Sequence, residues 1–300
     1  MRILILGCGY LGTRLGRLLV SQGHEVFGLR RGASDSNDLL ELGIRPIEGD
    51  LTKSDSLQRI AGPFDWVVNA VSSSKGGVEI YKKVYLEGGA VVLDWMRGSG
   101  WQPASYLVVS STSVYAQTDG SWVTEESPAE GASETSRVLV QAERLLLEAT
   151  RSRGFPAIIM RAAGIYGPDR GHLFLKHLRG EATMAMGGLQ WINMIHVEDL
   201  ARACVAALER GLAGEVYNAV DNEPVRHKDF FAWFASRLGL PLPPIDDGLS
   251  GTRRKRGVTQ KRISNEKLRL NLLGTLQYPT FREGYEEEIK RLQLALRNER

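Results

Sequence analysis

The feature that most constrains this chain is a glycine loop set between a strand and a helix: Ile3-Leu4-Ile5-Leu6 runs straight into Gly7-Cys8-Gly9-Tyr10-Leu11-Gly12. The aliphatic run reads as a buried strand, and Leu11, Leu15, Leu18 and Leu19 then fall on one helical face. In a G-x-G-x-x-G turn of this kind the first glycine permits the tight bend and the second lets backbone approach a pyrophosphate. The third lets helix and strand pack closely. Free N–H groups and a partial positive charge at the helix start then face the phosphates. The loop predicts a dinucleotide held by Gly7, Gly9, Tyr10, Leu11 and Gly12.

Short apolar runs alternating with amphipathic stretches extend the pattern into β-α units on a parallel sheet. The strands are expected at Ile3 to Leu6, Glu25 to Leu29, Arg45 to Glu48, Trp66 to Asn69, Tyr106 to Ser110 and Ala157 to Met160. Helices are expected over Val78 to Arg97 and over Ser133 to Arg153, the latter with Glu143 and Glu148 pointing outward. After Arg161 the rhythm breaks at Gly164-Ile165-Tyr166-Gly167-Pro168. Beyond it the sequence reads as helices at Val197 to Arg210 and Lys228 to Leu238, a short strand at Val216-Tyr217-Asn218 and two further helical stretches. The fold class is therefore α/β: a doubly wound parallel sheet of the Rossmann type over residues 1–170, and a smaller C-terminal substrate-side domain over 171–300.

Composition narrows the function classes. At 300 residues, 43% hydrophobic and 24% charged, the chain has the material for a sizeable core. Its 38 Lys+Arg against 35 Asp+Glu leave +3, so no global charge points to nucleic acid or a membrane surface. The opening apolar run is too short for a secretory core, and no segment approaches the roughly 20 apolar residues of a membrane span. Two cysteines, Cys8 and Cys204, suit neither a disulfide framework nor a thiolate metal site, and five histidines lack ligand spacing. A cytoplasmic protein without a metal, acting on a small molecule, is the expectation.

The cofactor's phosphate state is set at the end of the second strand, where a carboxylate would hold a ribose hydroxyl. This chain has Arg30-Arg31 there, and guanidinium groups suit a phosphate monoester. NADP(H) is expected in preference to NAD(H), which stays open as the alternative.

Further blocks resemble, in order and over nearly the whole length, the extended or atypical branch of the short-chain dehydrogenase/reductases, the NAD-dependent epimerase/dehydratase group. They are Gly49-Asp50-Leu51, Asn69-Ala70-Val71, Ser110-Ser111-Thr112-Ser113-Val114-Tyr115, Arg161, Tyr166-Gly167-Pro168, Ile195-His196-Val197-Glu198-Asp199 and Val216-Tyr217-Asn218. The resemblance implies that Asp50 and Leu51 contact adenine and that Asn69, Ala70, Val71 and Arg161 belong to the cofactor site. It implies that Ser111, with Ser113 next in line, hydrogen-bonds the reacting oxygen, and that residues 196–220 return to the larger domain. A homodimer through the helices at Val78 and Ser133 is a further implication.

One departure divides the readings. The family's acid/base is a tyrosine with a lysine four residues later, whose cation lowers the phenol's pKa. Counting back from Ala142-Glu143, those positions hold Thr135 and Leu139, and no tyrosine in the chain has a lysine four residues after it. Tyr115 and Tyr166 are the substitutes nearest the nicotinamide end, with aromatic packing as the plainer explanation of each. His196 and Asp199, at a helix start, read as capping residues. Arg253-Arg254-Lys255-Arg256 reads equally as a diphosphate contact or a solvated loop. The leading expectation is an NAD(P)-dependent epimerase/dehydratase-like or reductase-like enzyme, acting on a sugar nucleotide or similar hydroxyl/carbonyl compound through a non-standard acid/base. The alternative is a catalytically silent NAD(P)-binding sensor.

Overall fold

Burial along the first strand decides the layering. In β1 (Arg2–Leu6), Ile3 and Ile5 join one core while Leu4 and Leu6 join another, all fully buried. Successive side chains point to opposite faces, so a strand apolar at every position needs cover on both. The computed structural model describes residues 1–32, 37–73, 76–246 and 259–298. It supplies that cover on a sheet of seven parallel strands.

In chain order the other strands are β2 (Glu25–Arg30), β3 (Arg45–Glu48), β4 (Trp66–Asn69), β5 (Ser105–Ser111), β6 (Ala157–Ala162) and β7 (Val216–Ala219). In space they run β3-β2-β1-β4-β5-β6-β7. Leu11, Leu15 and Leu19 of the helix Tyr10–Ser21 pack with Leu200 and Cys204 of the helix Val197–Arg210 on one face. Val92, Trp95 and Met96 of Gly88–Gly98 and Leu146 of Glu134–Arg153 cover the other. The strand order reverses between β1 and β4, and a cleft opens beyond the carboxyl ends of the strands at such a point.

A second core of different character closes the C-terminal side. Tyr166, Phe174, Phe230, Phe234, Phe281 and Tyr285 gather in one aromatic cluster. They come from the turn after β6 and from the helices His172–Leu178, His227–Leu238 and Phe281–Asn298. Asp199, buried at the start of its helix, accepts from the backbone N–H groups of Gln277 and Tyr278, both at 2.7 Å, and so ties this part to the sheet.

Two expectations are corrected. The segment from Val78 is not one uniform helix: it widens into a π-helical turn at Lys82–Glu87 between α-helical Val78–Tyr81 and Gly88–Gly98. Glu143 points inward, 4% exposed, because a buried cation requires it: Arg161 on β6 donates to both its carboxylate oxygens at 2.7–3.2 Å. Glu148 does point to solvent. The basic run Arg253 to Arg256 lies outside the described residues. Among the described residues no helix is long and apolar enough to cross a membrane.

Candidate cofactor and active-site cleft

A cleft of about 690 Å³ occupies the switch point, lined by the glycine loop, the ends of β2 to β6 and the segment from Ile80 to Tyr85. That volume lies in the range of small-molecule and cofactor sites. Gly7 has φ +87°, and a Cβ there would stand 2.7 Å from the Val71 backbone. A Cβ on Gly12 would stand 2.7 Å from the Gly7 carbonyl oxygen, so this glycine, which does not line the cleft, serves close packing. At Gly9 a Cβ would meet nothing within 4 Å and would occupy the cleft instead.

The loop's polarity matches an anion. The helix opens at Gly9 with no side-chain cap and no acidic residue in its first turn, leaving N–H groups for a ligand. Arg30 meanwhile takes the loop's carbonyl side: its Nε donates to Cys8 O, its Nη2 to Thr13 Oγ1 at 3.0 Å, and its Nη1 pairs with Asp38 at 2.8 Å. Arg31 is exposed and also lines the cleft. Asp50 accepts from the Thr52 amide at 3.0 Å and hydroxyl at 2.8 Å; burial opposes its charge, but these bonds outweigh it and hold its pKa below the ordinary value. Leu51, Ala70 and Val71 complete this half of the wall. Together these residues fit a dinucleotide with its pyrophosphate on the Gly9 turn and its adenosine half toward Arg31 and Asp50.

Asn69 and Arg161 act from behind that wall rather than on it. Asn69 is buried, donates to the Tyr106 hydroxyl at 3.0 Å and accepts from Val71 N at 3.4 Å, and so shapes the turn under Gly7. Arg161 belongs to a buried chain: Ser110 Oγ donates to Glu143 (2.5 Å), Arg161 pairs with Glu143, and Arg161 Nη1 donates to the Tyr115 hydroxyl (2.7 Å). The Tyr115 hydroxyl in turn donates to Asn218 Oδ1 at 2.8 Å on β7. Burial alone would lower the Arg161 pKa, but Glu143 beside it holds it raised.

At the reactive half, Ser111 lines the cleft, and its Oγ accepts from Ser113 N at 3.2 Å. Ser113 does not line the cleft; its own hydroxyl is buried without a partner among the described residues. Leu139, at the family's lysine position, puts its apolar side chain on the wall. Neither substitute phenol faces the cleft. Tyr115 is fully buried in the chain just described, with its pKa raised by burial. Tyr166 is buried against Tyr285, ring centroids 4.7 Å apart, and donates to Thr280 O at 3.2 Å; burial pushes its pKa far up. Both side chains hold elements together, because the backbone at these strand ends turns them toward the core.

His196 and Asp199 have the structural duties their position suggests. His196 Nδ1 accepts from Glu198 N at 3.3 Å and the ring packs on Tyr278, centroids 3.7 Å apart; burial lowers its pKa to about 4. Sequence reasoning missed Ser72, Ser73, Lys83, Tyr85 and Arg170, all of which line the cleft. Only a fold brings them there, since the segment from Val78 reads locally as an amphipathic helix.

With this geometry in place, the likenesses to known proteins can be weighed. The chain belongs to the NAD-dependent epimerase/dehydratase family, whose model matches residues 3–219. Among curated proteins it is 27% identical to a 3-diazoavenalumate denitrifying reductase from a Streptomyces over 96% of this chain and 100% of that one. It is also 27% identical to a 4-hydroxy-2-methyl-3-oxo-4-farnesyl-3,4-dihydroquinoline-1-oxide ketoreductase from Stigmatella aurantiaca, over 78% of this chain and 72% of its relative. Among solved structures, a dTDP-glucose 4,6-dehydratase from Streptomyces venezuelae with NAD bound superposes with a TM-score of 0.82 at 21% identity, over 97% and 96% of the two chains. At that identity the superposition shows the shared fold.

Proposed function

We propose that this chain is an NADP(H)-preferring reductase acting on a carbonyl or hydroxyl group of a small organic molecule, a sugar nucleotide being one such class. The observation that carries the reading is a single cleft with a phosphate-binding turn at Gly9 and the Ser111 hydroxyl at its other end. A nicotinamide nucleotide bound there supplies a hydride donor or acceptor. The chain's own part is to bind the pyrophosphate on backbone amides, to hold the substrate oxygen at Ser111 and to exclude water with Leu139 and Ile165. The full-length similarity to a reductase and the partial similarity to a ketoreductase support turnover over a silent sensor.

The two arginines divide the phosphate question. Arg30 is engaged by Cys8, Thr13 and Asp38, whereas Arg31 is the exposed guanidinium on the wall. Replacing Arg31 with Ala removes one charge-assisted contact, of about 1.5–3 kcal/mol, so NADP(H) affinity falls roughly 10- to 100-fold while NAD(H) affinity holds. Arg30→Ala loosens the loop and weakens both. Calorimetric titration of each coenzyme against the three proteins decides it. Unchanged NADP(H) affinity in Arg31→Ala removes the phosphate preference, and the absence of any response to either coenzyme removes the function.

A further inference from the structure

The missing tyrosine-lysine pair leaves the proton for such a reaction without a source, and the cleft wall narrows the choice. Cys8, Arg30, Arg31 and Asp50 line the loop and β2–β3 end, away from Ser111. Tyr10 donates its phenol proton to Pro168 O at 2.9 Å, with the Arg14 and Arg170 guanidiniums over its ring. Arg170 stays protonated at any relevant pH. Two side chains that exchange protons are left on the described wall, Lys83 and Tyr85.

Tyr85 stands on the π-helical turn Lys82–Glu87, the kind of local widening that recurs at functional sites. Its ring packs against the cluster that contains Val138 and Leu139, so the phenol reaches the cleft beside the position emptied of its lysine. The phenol oxygen accepts from Ser73 N at 3.2 Å, and its proton makes no bond to any described residue. Ser73 Oγ, on the same wall, is buried without a partner among the described residues. A phenol held as an acceptor keeps its proton free for a ligand, and a neighbouring orphan hydroxyl is a second polar group awaiting one.

We propose that Tyr85 is the proton donor to the substrate's carbonyl oxygen, in place of the family's tyrosine on the helix Glu134–Arg153. The proposal rests on the reductase reading above. In the step, two electrons and one proton arrive as hydride on the carbonyl carbon from the reduced nicotinamide ring. The C=O π pair moves to oxygen, which takes the Tyr85 phenol proton; the carbonyl is reduced to the alcohol and the nucleotide is oxidised. Water on the Lys83 side returns a proton to the phenolate. In the oxidative direction the same phenolate accepts the alcohol proton.

The test compares wild type with Tyr85→Phe, which keeps the ring packing. NADPH oxidation is followed against a panel of aryl ketones, cyclic ketones and 4-keto sugar nucleotides. The variant retains the wild-type melting temperature and NADPH affinity, while kcat falls roughly 100- to 1,000-fold with little change in KM. A second measurement is independent of turnover. In protein labelled with tyrosine carrying ¹³C at Cζ, the resonance missing from Tyr85→Phe shifts on saturation with NADP⁺, while the Tyr115 and Tyr166 resonances stay in place. Turnover by Tyr85→Phe within threefold of wild type, or a Tyr85 resonance unmoved by saturating nucleotide, overturns this proposal alone. A wild type that binds nucleotide and reduces nothing in the panel overturns the reductase reading and the proposal with it.

Discussion

The two ends of the cleft are built from different materials. At the glycine-loop end the ligand faces backbone: a positive φ at Gly7, a bare face at Gly9 and uncapped amides at a helix start. At the reactive end it faces side chains, and behind them stands the buried chain of Ser110, Glu143, Arg161, Tyr115 and Asn218. Backbone geometry tolerates almost no substitution, so the first end keeps the family's motif. Side-chain chemistry can be relocated from one wall to another, and at the second end Thr135 and Leu139 stand where the tyrosine and lysine were. A family can therefore hold one cofactor pose while the proton's route changes.

The sharpest way to probe that contrast is to break the support behind the reactive end. Glu143→Gln leaves the Arg161 guanidinium buried opposite a neutral amide. Removing one partner of a buried ion pair costs about 3–5 kcal/mol. Urea unfolding is expected to show a midpoint shift of that size with an unchanged slope. Arg161→Met combined with Glu143→Leu, which removes both charges, is expected to cost less than Glu143→Gln alone. A loss below 1 kcal/mol in Glu143→Gln would mean that the reactive end does not depend on its buried scaffold.

That pair also marks where sequence reasoning stops. The glycine loop, the parallel strands and the Val197–Arg210 helix were legible because each follows from local spacing: period two, period 3.6, or glycine where a Cβ cannot fit. Glu143 read as solvent-facing because its helix carries many charged residues and its partner, Arg161, lies 18 residues away on another element. Tyr115 and Tyr166 were expected near the nicotinamide end from their places after strand ends, which is where their backbone lies. Which way a side chain turns there depends on Asn218, Thr280 and Tyr285, at 103, 114 and 119 residues' remove respectively. The π-helical widening that brings Tyr85 to the cleft has no signature in spacing at all.

At the other end, two neighbouring glycines should fail in different ways. Gly7→Ala forces a side chain into positive φ and onto the Val71 backbone at 2.7 Å, so about 2–3 kcal/mol of stability and all measurable coenzyme binding should go together. Gly9→Ala has room in the ligand-free chain, with no atom within 4 Å, and should melt with wild type. Its methyl group stands where the pyrophosphate belongs, so affinity should fall by about tenfold or more for roughly each 1.4 kcal/mol of lost contact. Paired thermal melts and titrations separate the two, and a Gly9→Ala that binds at wild-type affinity moves the phosphates elsewhere.

The smallest effect concerns the hinge between sheet and aromatic core, where titration adds a pH axis to the same comparison. His196, buried with its pKa lowered to about 4, binds a proton in the unfolded chain before it does so in the native one. Between its unfolded value near 6.5 and the folded value, stability therefore falls as pH falls, by about 2 kcal/mol between pH 7 and pH 5 for this group alone. Asp221, also buried, has a raised pKa for the same physical cause, with the opposite consequence. Its native form keeps a proton the unfolded chain has released, so its contribution to stability falls as pH rises above about 4. The two slopes oppose each other in the wild type, which should therefore show a shallow profile between pH 5 and 7. His196→Asn keeps a capping oxygen for Glu198 N but cannot titrate. It should lower stability at pH 7 through the lost packing on Tyr278 and then gain stability on acidification, the sign of Asp221 unmasked. Denaturant unfolding at pH 5, 6 and 7 measures the slope. A variant whose stability still falls toward pH 5 as steeply as wild type would show that His196 is not the group sensing acid at this junction.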